Sequence, residues 1–174
     1  DELFHRMDIR TIALPPSDAP RRSELLALAE RSGAEIVTVS ELTELPFGAG
    51  KITLYPPLSG GTSNEEGLFF LCSAGDFDAL VTGDADSFVE KMLVKYYNIP
   101  DLELLVLGHH GSAGSTSAEL LDALLPELAV VSAGLHNSYG HPAAETLGRL
   151  AQRGIRVFRT AEMGTVTINV RSDG

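Results

Sequence analysis

Two short runs, LELLVLG (102–108) and LAVVSAG (128–134), are apolar at nearly every position. A strand built from either is therefore buried on both faces, as in the centre of a largely parallel sheet. Parallel neighbours cannot be joined by a hairpin; each pair needs a crossover, usually a helix. Helix-like segments stand at the required places, so we expect an α/β chain with two or more packed layers. Strands are expected at 9–15, 34–40, 51–57, 68–74, 78–84, 155–160 and 164–170. A helix over 21–33 would turn Leu25, Leu26 and Ala29 inward and stop at Gly33. One over 86–97 would bury Phe88, Val89, Met92 and Leu93. Thr116 and Glu119 form a capping box before a helix that Pro126 ends, and Pro142 is expected to open a helix running to about Arg153. The segment LSGGTSNEEG (58–67) has the composition of a connection.

Charge and cysteine content remove several functions. The net charge of −11 leaves no broad basic face for nucleic acid, although bound cations could supply positive charge locally. The single cysteine, Cys72, lies in an apolar run, and it excludes both an internal disulfide and a thiolate zinc cluster. No apolar stretch reaches the roughly 18 residues needed to span a bilayer. Residues 1–10 lack a signal-peptide layout, and the sequence carries no P-loop, no G-x-G-x-x-G after a strand and no G-x-S-x-G elbow.

Ligand-type side chains gather where three strands end. Asp84 follows ALVTG, His109 and His110 follow LLVLG, and His136, Asn137 and His141 follow AVVSAG. Sites in α/β sheets are built in such loops, because the strand is rigid and the loop is free to vary. Imidazole with carboxylate suits a divalent transition ion such as zinc, manganese or iron. Taken singly, GD after a strand is an ordinary turn, HH a solvated loop pair and GHP a helix cap. Their recurrence at three strand ends favours a site. An all-carboxylate magnesium site from Asp76, Asp78, Asp84 and Asp86 fits less well, since Asp76 and Asp78 lie at the other end of their strand.

The segments LVTGDAD, LLVLGHHGSAGSTSAELLDALLPELAVVSAG, NSYGHPAAETLGRL and VFRTAEMGTVTINV together resemble the C-terminal half of the metallo-β-lactamase-fold family. The closest type is the domain attached to the DNA-uptake channel protein ComEC. The resemblance implies an αββα sandwich, with residues 1–174 forming one N-terminally truncated domain. It implies that Asp84 bridges two divalent ions, zinc or manganese, and that His110 ligates one of them. His109 would be a second ligand or a substrate contact. His141 would touch phosphate or give a proton to the leaving group. Asn64 would fall near a further ligand position, with Ser112 and Asn137 as polar support. The family's leading H-x-H-x-D-H motif is missing, and His5 and Asp8 do not have its spacing.

The resulting expectation is a piece of a metal-dependent phosphodiesterase or nuclease-like hydrolase linked to DNA uptake. It would be a soluble part of a bacterial membrane protein, on either face, with single-stranded DNA or another phosphodiester as the parent's substrate. With the ligand shell incomplete, this chain would hold little metal, be weakly active or inactive, and associate with itself through an exposed sheet edge. A non-catalytic interaction module on a degenerate version of the fold is the alternative. A generic small-molecule binder with incidental histidines is a third.

Overall fold

The computed structural model describes residues 2–16, 22–59 and 67–170. The chain opens with a short helix α1 (Glu2–Arg6) and a β-α-β unit: β1 (Thr11–Leu14), α2 (Arg22–Ser32) and β2 (Glu35–Thr38). β1 and β2 pair in parallel and form a small sheet of their own. Within α2 it is Ala29 that is buried, whereas Leu26, expected inward, is exposed.

A seven-stranded sheet follows, with its strands in chain order: β3 (Thr43–Phe47), β4 (Gly50–Tyr55), β5 (Phe69–Ala74), β6 (Phe77–Val81), β7 (Leu104–Val106), β8 (Leu128–Val131) and β9 (Arg156–Arg159). β3 to β6 form an antiparallel meander, and from β6 to β9 every pairing is parallel. The change of direction is a matter of linker length. Two residues join β5 to β6, while each later step carries a helix: α3 (Ser87–Tyr96), α4 (Ala118–Leu124) and α5 (Ala144–Gln152). The edge strand β3 was not expected from the sequence; it contains Pro46, a residue that sheets tolerate at an edge. Residues 164–170, expected as a closing strand, form none; a single helical turn, α6 (Thr160–Met163), follows β9 instead.

Register aligns Leu71, Leu80, Leu105, Ala129 and Val157 in one row across five strands. That row packs against Val89 and Leu93 of α3, Leu120, Leu121 and Leu124 of α4, and Leu150 of α5, forming one continuous core. The opposite row, with Phe70, Cys72, Ala79, Val81, Val106 and Val130, is only half-buried. A groove of about 470 Å³ opens beside Tyr55 and Tyr97, which meet edge to face. Between the two sheets lies a wider groove of about 630 Å³, lined by Ala13, Val37, Leu45, Ile52, Leu54 and Phe70. Among the described residues no helix is long and apolar enough to cross a membrane.

Because Leu105 sits at the centre of the row and is 1% exposed, Leu105→Ala removes a fully packed side chain from a site that cannot collapse. We expect a loss of about 2–5 kcal/mol in unfolding free energy. Leu125→Ala, at a residue 60% exposed, should stay within about 0.5 kcal/mol. Urea midpoints of the two variants provide the measurement.

Candidate functional site

Since β6, β7 and β8 are parallel neighbours, their C-terminal ends lie side by side and their following loops share one edge of the sheet. Asp84 lies exposed in the first loop, and two residues later Asp86 caps α3, accepting from Phe88 N at 2.9 Å and Val89 N at 3.0 Å. The second loop is fastened to the first: His109 N donates to Gly83 O at 2.8 Å, and Ser87 N to Gly114 O at 2.8 Å. The third is fastened to the second, with Ala143 N donating to Gly111 O at 2.8 Å. The backbones adjoining Asp84, His109 and Pro142 are thereby held together.

The histidine turn has an uncommon backbone. His109, His110 and Gly111 have φ of 47°, 56° and 78°, three left-handed residues in succession. Only glycine enters that region freely; an L side chain there costs about 1–2 kcal/mol. His110 Nδ1 donates to Ser132 O at 2.7 Å, which leaves Nε2 as the ring nitrogen turned away from that bond on an exposed side chain. Metal-binding histidines are commonly held this way, with the second ring nitrogen tied to a carbonyl. His109 is half-buried and packs edge to face on His141, with ring centroids 5.9 Å apart; Tyr139 stacks on His141, also at 5.9 Å.

Asn137 fixes the backbone of His141 from both sides. Its Oδ1 accepts from His141 N at 2.9 Å, and its Nδ2 donates to His141 O at 2.7 Å and Gly134 O at 2.8 Å. The Nδ1 of His141 is buried and has no hydrogen-bond partner. Ser112 is buried and turns its hydroxyl to Ser115 Oγ at 3.2 Å, so it supports the loop and does not face solvent. His136 is exposed. Asn64 lies outside the described residues. Pro142 does not open α5, which begins at Ala144 with Ala143 as its cap. The peptide bond between His141 and Pro142 is cis.

Two charged residues under the loops escaped the sequence reading. Glu90 of α3 is fully buried, accepting from Thr116 N at 2.6 Å and Ser117 N at 2.7 Å. Burial pushes its carboxyl above the usual range, opposed by the hydrogen bonds from Ser117 and Thr116 and by the charge of Arg149. Arg149 of α5 donates through Nε to Thr116 O at 2.9 Å, and through Nη2 to Ser115 O at 2.6 Å and Ala113 O at 3.1 Å. The expected inward face of α3 is corrected accordingly: Phe88 is 61% exposed, and Glu90 occupies the interior. An acidic residue on the stripe with Val89 and Leu93 was the available signal. The capping box is corrected too. Ser117 caps α4 by accepting from Leu120 N, while Glu119 reaches Lys91 at 2.7 Å.

Among the described residues no three His, Cys, Asp or Glu side chains converge to hold a metal ion. A tetrahedral zinc site takes at least three protein ligands, so this donor set does not fit a complete metal shell. What it offers is one oriented imidazole, one carboxylate on the adjoining loop and a histidine pair beside them.

Gly111 is the tightest point of this arrangement. A Cβ there would stand 2.8 Å from Pro142 Cβ and 3.2 Å from Val131 Cγ2, whereas Gly140, at φ of 71°, has open space. Both Gly→Ala changes carry left-handed strain, and only Gly111→Ala adds a clash between two site loops. Thermal melting should therefore show Gly111→Ala lowering stability more than Gly140→Ala, by at least about 1 kcal/mol.

No family model matches the chain. Over 171 residues it is 30% identical to ComE operon protein 3 of Bacillus subtilis (strain 168), which covers 94% of this chain and 22% of that protein. It is 41% identical over 102 residues to Competence protein ComA of Neisseria gonorrhoeae, covering 58% of this chain and 15% of the relative. Recombination protein 2 of Haemophilus influenzae is 32% identical over 110 residues, 63% of this chain and 14% of the relative. The chain thus spans less than a quarter of the length of these relatives. Among solved structures, CmlA, a diiron β-hydroxylase from Streptomyces venezuelae, superposes with a TM-score of 0.62 at 16% identity, over 90% of this chain and 39% of CmlA. Likeness along nearly the whole chain to one competence protein, together with a shared sheet architecture, makes this a domain of metallo-β-lactamase-like fold belonging to the ComEC family.

Proposed function

We propose that this chain is part of a metal-dependent phosphodiesterase or nuclease-like hydrolase that works on DNA during uptake, within a membrane-protein parent. One observation carries the reading: three neighbouring parallel strands deliver Asp84, His109 with His110, and His141 to loops bonded to one another. The competence relatives support the link to DNA uptake.

The chain's own groups have distinct parts in it. His110 offers Nε2, and Asp84 a carboxylate, as donors for a divalent ion. His141 stands at the start of α5, whose first N–H groups favour an anion, and is suited to a phosphate oxygen or to protonating a departing one. His109 packs against it and shares that role. A two-metal site needs more ligands than these, so the remaining donors must come from outside the residues described here.

The shortage of converging ligands among the described residues favours a second reading, in which the domain is a non-catalytic interaction module. Metal content and hydrolysis measured on the longer parent separate the two. In the hydrolase, Asp84→Ala and His110→Ala lose metal and activity together, while His141→Ala loses turnover and keeps metal. Loss of metal from His141→Ala with unaltered turnover per bound metal would make that residue a ligand instead. A parent whose hydrolysis ignores all three changes is the module.

For the chain alone we expect little bound metal, and at most weak hydrolysis of bis-p-nitrophenyl phosphate with added Mn²⁺. The half-buried apolar row and the exposed sheet edge should give a dimer or larger assembly by light scattering. A monomer holding two tight metal ions and turning over briskly contradicts this expectation.

A further inference from the structure

We infer that Glu90 and Arg149 are positioning residues that together hold the His109–His110 turn in its ligand-presenting conformation. The functional half of this inference rests on the hydrolase reading above; the structural half stands on geometry alone.

The key residue between them is Thr116. Its φ is 53°, a left-handed backbone on a β-branched side chain, and its buried hydroxyl has no hydrogen-bond partner. Neither feature is stable unless the surroundings impose it. Here they do so from two sides. The N–H of Thr116 donates to Glu90 and its C=O accepts from Arg149, so opposite charges grip consecutive peptide groups. Ser117 N donates to Glu90 as well, and Arg149 also takes the carbonyls of Ser115 and Ala113.

From this grip two links reach the ends of the histidine turn. Ser115 Oγ donates to Gly108 O at 2.7 Å, just before His109. Thr146 Oγ1, itself bonded to Arg149 Nη2 at 3.0 Å, donates to Ser112 O at 2.6 Å, two residues beyond His110. Glu90 also lies directly beneath Gly108, where an added Cβ would come within 3.5 Å of Oε1. The two charged residues belong to α3 and α5, the helices that follow the Asp84 and His141 loops. Each therefore ties its own loop to the histidine loop, and the relative placement of all three depends on them.

The test uses this chain, labelled with ¹⁵N, and reads the imidazole resonances of His110. In the wild type its Nδ1–H, held by Ser132 O, should be an observable signal whose exchange with solvent can be timed. Glu90→Gln keeps the volume but sets an amide against two N–H donors, and Arg149→Lys keeps the charge but cannot fork to three carbonyls. In each, exchange of that proton should quicken at least tenfold, while dispersed core methyl signals report a retained fold. Arg153→Lys, at the C-terminal cap of the same helix but paired with Asp122 at 2.6 Å, should leave the signal unchanged. If Glu90→Gln does not fold, Arg149→Lys decides; if neither folds, the pair holds the whole domain and the specific positioning role is rejected. An unchanged His110 signal in a folded variant also overturns the proposal. Adding Mn²⁺ alone separates this proposal from the hydrolase reading. Broadening of the His110 ring in the wild type, lost in Glu90→Gln, is expected. Equal broadening in both removes the positioning role and spares the metal site. Altered exchange with no broadening in the wild type removes the metal site and spares the positioning.

Discussion

Parallel pairing from β6 to β9 is the constraint from which the rest of the molecule follows. Strands that run the same way must each be followed by a return crossing, and the returns here are α3, α4 and α5. Those helices cover one face of the sheet, which is why the Leu71 to Val157 row is the well-packed one. The same geometry sends every post-strand loop to a single edge. A chain of this order can hardly avoid gathering the residues that follow its buried strands, whatever chemistry those residues carry.

Gathering the loops is not the same as shaping them. The histidine turn and Thr116 occupy backbone regions that cost L residues about 1–3 kcal/mol each. Hydrogen bonds to charged groups return about 1.5–3 kcal/mol apiece, so each strained residue needs a dedicated partner and generic packing does not suffice. Glu90 and Arg149 provide such partners from beneath. Burying Glu90 is expensive, and a buried carboxylate contributes less to stability than a well-packed leucine. A charged pair retained under three strained residues is easier to understand as a device for holding one loop conformation.

The two faces of the large sheet are covered unequally. One face is sealed by three helices, and the other is half-buried and opens into the groove between the two sheets. The curated relatives are several times longer than this chain. The tightly bonded loops at the C-terminal strand ends and the loosely covered sheet face belong to the same domain, so rigidity at the candidate site does not require both faces to be equally packed.

Much of this was legible in the residues themselves. Apolar runs at 102–108 and 128–134 announced central strands, because burial on both faces demands unbroken hydrophobicity. Asp84, His109, His110 and His141 stood out as candidates because ligand-type side chains occur in the loops after apolar runs, and the fold brings those three loops to one edge of the sheet. Residues 164–170 misled, since alternation of Thr and Val satisfies a strand pattern whether or not a neighbour is present to pair. Phe88 and Glu90 were misplaced because helical periodicity assigns the interior by hydrophobicity, and a carboxylate earns an interior position only through donors brought from 26 and 27 residues away. Local sequence determined the central strands, the crossovers and the residue types available at their ends. Tertiary structure alone decided which imidazole nitrogen of His110 is tied to Ser132 and which charged side chains reach the backbone beside the turn, because hydrogen bonds between distant segments leave no periodic trace in the chain.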